Sequence, residues 1–173
     1  MLWSQSNFEK AEQLMESGKT DQARVVFENI VKDNPSQVKA IERLGDIAGQ
    51  NKSWDKALLY YKKAKQLQPT AAEYYYKYGG ALGMKAKSVN KFKAIGMIDE
   101  IKSSFEKAVA LDPKHKESRW ALLMLYLELP GIIGGSETKA VAYSNELMRL
   151  SPLEGYLSKG YIDEYFGRNK KAE

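Results

Sequence analysis

The sequence predicts an all-α chain folded as a solenoid of about four helix pairs plus a C-terminal capping helix. Three observations predict it. Apolar residues recur at three- and four-residue intervals through most of the chain, which places them on one face of successive helices. Prolines at 35, 69, 113 and 152 punctuate that pattern, and each lacks the N–H that would carry a helix onward. Between prolines the period breaks once more, at Gly18, Gln50 to Ser53, Ser88 to Asn90 and Pro130 to Ser136. Each interval therefore reads as two antiparallel helices.

Composition agrees and excludes several classes. The chain has 173 residues, 43% hydrophobic and 28% charged, enough for one packed domain and too apolar for extensive disorder. Its longest apolar run, Trp120 to Leu127, is far shorter than the roughly 20 residues of a membrane-spanning helix. The absence of cysteine excludes disulfides and thiolate metal sites. MLWSQSNFEKAEQ has neither the basic start nor the apolar length of a signal peptide. The chain as given is expected to be soluble and cytoplasmic, or periplasmic if a leader was removed. A net charge of +5 matters only where it is concentrated.

The first unit, residues 4–35, places Phe8, Ala11, Leu14 and Met15 on one helix, with Ser4 or Ser6 as its N-cap, and Ala23, Phe27 and Ile30 on the second. The second, residues 38–69, carries Ile41, Leu44 and Ala48, then Ala57, Tyr61 and Ala64. Gly45 lies among them, where a missing Cβ admits a neighbouring helix. The third, residues 70–113, has Tyr75, Tyr78, Gly79 and Leu82, then Phe105 and Ala108, but is ten residues longer. Phe92, Ile95, Ile98 and Ile101 continue a helical stripe through the excess, so both of its helices are expected to be extended. Lys85, Lys87, Lys91 and Lys93 surround the expected turn and form the densest basic cluster. The fourth, residues 114–152, holds Leu122 and Tyr126, then Ala140 and Leu147. Its helices are joined by Pro130-Gly131-Ile132-Ile133-Gly134-Gly135-Ser136, with Ser136 as N-cap and Glu137 beside the helix dipole. Residues 153–166 form the capping helix and RNKKAE a solvated tail.

The 34 residues from Pro35 to Pro69, with Ile41, Leu44, Gly45, Ala48, Ala57, Tyr61, Ala64 and Pro69, resemble the tetratricopeptide repeat. Ile41 stands where Trp is usual and Ala48 where Tyr is usual. The resemblance implies a right-handed solenoid. The long third unit, the Ala110-Leu111-Asp112-Pro113 ending and the Gly-Gly-Ser loop followed by Lys139-Ala140 resemble, more narrowly, bacterial proteins related to the regulator-of-microtubule-dynamics family. What both resemblances imply is a non-catalytic binding module without cofactors.

In the repeat family the first helices line a concave groove, at positions that fixed offsets transfer to Phe8, Glu42, Tyr76, Trp120 and Leu157. One turn further lie Glu12, Asp46, Gly80, Met124 and Tyr161. The resemblance thus implies a groove that is acidic in the first two units and apolar beyond. Tyr76, Met84, Trp120, Met124, Leu127, Leu157 and Tyr161 are the expected partner-binding residues, since Tyr, Trp and Met anchor interfaces. A protein or peptide is the expected partner, with an apolar small ligand as the other occupant. The competing expectation is a structural or assembly role in which the C-terminal helix fills the groove. The chaperone-binding members carry a Lys and Asn clamp at positions where Phe8 and Glu12 stand, which disfavours that function.

Other signals are weak. Gly131 to Lys139 lacks the Gly-Lys-Ser/Thr order and preceding strand of a phosphate loop. His115 has no second imidazole to share a metal and reads as an exposed helix-start residue. Asp99-Glu100 and Asp163-Glu164 point to different sides of a helix and read as solvated. No enzymatic constellation emerges. The four lysines read as solubilising: nucleic acid is not expected, and an anionic membrane surface is the remaining alternative for them.

Overall fold

The computed structural model describes residues 2–168, with side chains from residue 6 onward. The side chain of Ser4 and the tail beyond Arg168 lie outside the described residues. The helices are α1 (Leu2–Glu16), α2 (Thr20–Asp33), α3 (Val38–Gln50), α4 (Trp54–Leu67), α5 (Ala72–Ser88), α6 (Lys91–Ile95), α7 (Ile98–Leu111), α8 (Lys116–Glu128), α9 (Glu137–Leu150) and α10 (Pro152–Tyr165). No strand occurs among the described residues. Each helix packs on the next, apart from the short α6, which leans on α5 while α7 pairs with α5 directly. The result is an all-α solenoid in which α1, α3, α5, α8 and α10 are the first helices of successive units.

The apolar spacings become buried stripes. Ala11, Ala23, Phe27, Ile30, Ala40, Leu44 and Ile47 close the core of the first units, and Phe8 meets Phe27 edge-on at 5.5 Å. Tyr61, Tyr78, Phe105, Leu122, Tyr126, Ala140 and Leu147 continue it along the stack. The signature glycines leave room for an aromatic ring of the partner helix: a Cβ on Gly45 would stand 2.5 Å from the Tyr61 ring, and one on Gly79 would stand 2.9 Å from the Phe105 ring.

Two expectations are corrected. α1 begins at Leu2, so Ser6 lies inside the helix rather than at its cap. Of the two helices of the third unit only α5 is extended, at 17 residues against the 13 of α3. The rest of the excess is not a continued helix but the five-residue α6, started by Asn90, whose Oδ1 accepts the Lys93 N–H at 3.0 Å. Gly96 and Met97 separate α6 from α7, and the stripe fails there: Phe92 is 90% exposed. The expected C-terminal helix is present as α10, which packs on α9 and α8. Leu153, Tyr156 and Leu157 stay exposed on its outer side.

Candidate functional site

The first helices carry two contrasting surfaces. Across α1, α3 and α5 the acidic residues expected in the groove are present, yet each is neutralised. Arg43 donates to both carboxylate oxygens of Glu12, at 2.7 and 2.9 Å, and to Asp46 at 3.2 Å. Lys77 reaches Glu42 at 2.7 Å and Asp46 at 2.7 and 2.9 Å, and Lys39 reaches Glu42 at 2.9 Å. Tyr61 donates its hydroxyl to Asp46 at 2.8 Å and Tyr74 donates to Glu42 at 3.3 Å. Burial alone would raise the Glu42 carboxyl, but the hydrogen bonds from Lys77 and Lys39 outweigh it and hold it below the usual carboxylate value. Burial likewise opposes the Lys77 ammonium, and Asp46 and Glu42 more than restore it. Burial, followed by the Asp46 charge, pushes the Tyr61 phenol upward. Sequence reasoning found the carboxylates and missed Arg43 and Lys77, which stand one residue beyond Glu42 and Tyr76. Their basic character next to Glu42, Asp46 and Glu73 was the available signal.

The second surface runs over α5, α8 and α10. Tyr76 is half-buried, its ring 5.2 Å from His115 and 6.0 Å from Phe105. Trp120 meets Tyr161 edge-on at 6.2 Å, and its indole N–H donates to Glu154 at 2.8 Å. That hydrogen bond, with a second from Lys116, holds the Glu154 carboxyl below its ordinary value. Met124 is also half-buried, while Met84 and Leu157 are exposed. The structure therefore brings Trp120 and Tyr161 together and leaves Tyr76, Met84, Met124 and Leu157 accessible. Leu127 is the exception: at 5% exposure it belongs to the core, because the inward side of α8 takes up Leu123, Tyr126 and Leu127 together.

His115 is not the exposed residue the sequence suggested. It is 8% exposed and caps α8, its Nδ1 accepting the Ser118 N–H at 3.2 Å. In the neutral ring this leaves Nε2–H facing Glu73 at 3.4 Å. The imidazole is thus a structural joint between α5 and α8. Likewise Glu100 is tied to the core by accepting the Tyr78 hydroxyl at 2.6 Å. Pro130 to Ser136 is an ordered connection: Gly131–Ile133 forms a 3-10 turn, Gly134 takes φ +106°, and the Ser136 hydroxyl accepts the Lys139 N–H at 3.3 Å. Its amides are used internally, Gly135 to Pro130 and Ser136 to Tyr126. They make a cap for α9 rather than a phosphate cradle.

Stacked helix pairs with glycine-mediated close approaches and a polar-to-aromatic first-helix face define a helical-repeat solenoid of the tetratricopeptide type. The tetratricopeptide-repeat family matches residues 3–78. No curated protein matches the chain in sequence. Among solved structures, a crystal structure of MamA shares 21% identity over 95% of this chain and 82% of its own, with a TM-score of 0.72. TTC0263, a thermophilic tetratricopeptide protein of Thermus thermophilus, shares 21% over 98% of this chain and 89% of its own, at TM-score 0.71. MamA residues 41 to the end from Desulfovibrio magneticus shares 19% over 86% and 76%, at 0.67. At these identities the likeness establishes the fold. No helix among the described residues is long and apolar enough to cross a membrane.

Proposed function

We propose that the chain is a non-catalytic binding module that takes an extended peptide, or another apolar ligand, along the aromatic half of its first-helix face. The observation that carries this reading is the set of half-buried Tyr76, Trp120, Met124 and Tyr161 on the neighbouring helices α5, α8 and α10. Rigid aromatic rings fixed by their own contacts bind with little further loss of side-chain entropy, and Trp120 is already oriented by Glu154. The acidic half is self-neutralised by Lys39, Arg43 and Lys77, so a basic ligand end gains less there than the bare carboxylates suggest. The length of the third unit and the Gly-Gly-Ser loop support a place near the regulator-of-microtubule-dynamics relatives.

One observation favours the assembly reading instead: the contact of Trp120 with Tyr161 already spends part of the aromatic surface on α10. Peptide-display selection against the folded chain, followed by calorimetric titration of the selected peptide, separates the two. Trp120→Ala, shown by circular dichroism to remain folded, is expected to lose about 2 kcal/mol or more of binding. Undiminished affinity in that variant moves the binding surface elsewhere.

A further inference from the structure

We propose that the edge of the solenoid carrying the α5–α7 connection and the α8–α9 connection docks on an anionic lipid surface. This site is separate from the aromatic face and does not depend on it. The two connections leave the molecule side by side, because Lys87 at the end of α5 bridges Glu128 at the end of α8 at 3.1 Å. Each presents an apolar tip to solvent. Phe92 is 90% exposed and Ile132 is 95% exposed, the two most exposed large apolar side chains among the described residues. Ile95, three residues after Phe92 and so on the same face of α6, is also exposed.

Within the tips themselves the charge is basic or absent, the nearest carboxylates along the chain being Glu128, which Lys87 bridges, and Asp99 and Glu137 just beyond the two connections. Residues 85–97 contain four lysines and no acidic residue, and residues 129–136 contain no charge at all. Lys87 is bridged to Glu128 and Lys85 to Asp55, whereas Lys91 and Lys93, flanking Phe92, make no ion pair within the described residues. Purely solubilising lysines would not require Phe92 between them, and a core aromatic would not be exposed. Phe and Ile tips amid lysines match the boundary between lipid headgroups and acyl chains, where the ring enters the apolar layer and the ammonium groups meet phosphates. A lipid surface also asks for no concave shape, and neither connection provides one.

The test is co-sedimentation of the full chain with vesicles of phosphatidylcholine alone and of phosphatidylcholine mixed with phosphatidylserine. Partition is expected into the mixed vesicles only, and it should fall as salt is raised. Lys91→Ala and Lys93→Ala should each weaken it about fivefold. Phe92→Ser with Ile132→Ser should weaken it by on the order of tenfold or more. Because these side chains are exposed, thermal melts of all variants should match wild type and certify folding. Absence of partition at low salt, equal partition into neutral vesicles, or indifference to the Phe92 and Ile132 changes would each overturn the proposal. So would lysine-dependent capture of an acidic protein by a chain that ignores both kinds of vesicle.

Discussion

Gly45 and Gly79 each face an aromatic ring that cannot retreat. Tyr61 is buried and anchored through its hydroxyl to Asp46, and Phe105 is buried against Tyr76. A side chain at either glycine must push that ring aside, so Gly45→Leu and Gly79→Leu are each expected to destabilise by about 1–3 kcal/mol or more. The neighbouring Gly80 makes the control: its Cβ would meet nothing within 4 Å. Gly80→Ala is therefore expected to be neutral or to stabilise α5 by up to about 1 kcal/mol. Urea denaturation of the three variants checks this, and similar midpoints for Gly79→Leu and Gly80→Ala would contradict the packing. Gly155, which sequence reading passed over, is as tight, since its Cβ would stand 2.5 Å from the Met148 Cα. Nothing in the spacing marks it, because the close approach depends on how α10 crosses α9.

At the scale of elements, helices and turns were legible where local chemistry decides them. Ser136 capping α9 is an example, whereas Pro152, read as the end of the fourth unit, in fact opens α10. What was not legible was α6. Phe92, Ile95 and Ile98 keep helical spacing, and periodicity alone cannot tell a buried stripe from an apolar tip left in water. The break at Gly96 and Met97 turns the first two outward. First-helix offsets placed Tyr76, Trp120, Met124 and Tyr161 on neighbouring helices, whereas Leu127 is buried with Leu123 and Tyr126 on the inward side of α8. The α8–α9 connection supplies a test at this scale. Its Gly135 and Ser136 amides are already bonded to Pro130 and Tyr126, so none of these donors is free for a phosphate. Titration with ATP or GTP is expected to give no saturable micromolar binding, and a signal abolished by Lys139→Ala would refute the assignment.

Across the whole molecule, the ion network is the one polar device among the described residues that ties three units together, since Glu12, Glu42 with Asp46, and Lys77 sit on α1, α3 and α5. Its protonation should therefore be felt by the stack as a whole. The Glu42 carboxyl is lowered on folding from an unfolded value of 4.5. Its contribution is fully present above that value and is lost as pH falls through the lower folded value. Lys77 is raised from 10.5, so its contribution is fully present below that value and is lost only as pH rises through the higher folded value. Stability from this network should consequently be flat between the two unfolded values and fall on either side. Glu42→Gln removes the charge but keeps a side chain of the same size, and is expected to flatten the acid limb while lowering stability at neutral pH by about 1–2 kcal/mol. Lys77→Met should lose more at neutral pH, because it leaves the largely buried Glu42 and Asp46 carboxylates facing each other with less compensation. Chemical denaturation across the acid range up to neutral pH measures both. An acid limb equally steep in wild type and Glu42→Gln would show that these side chains are paired without being coupled to the stability of the solenoid.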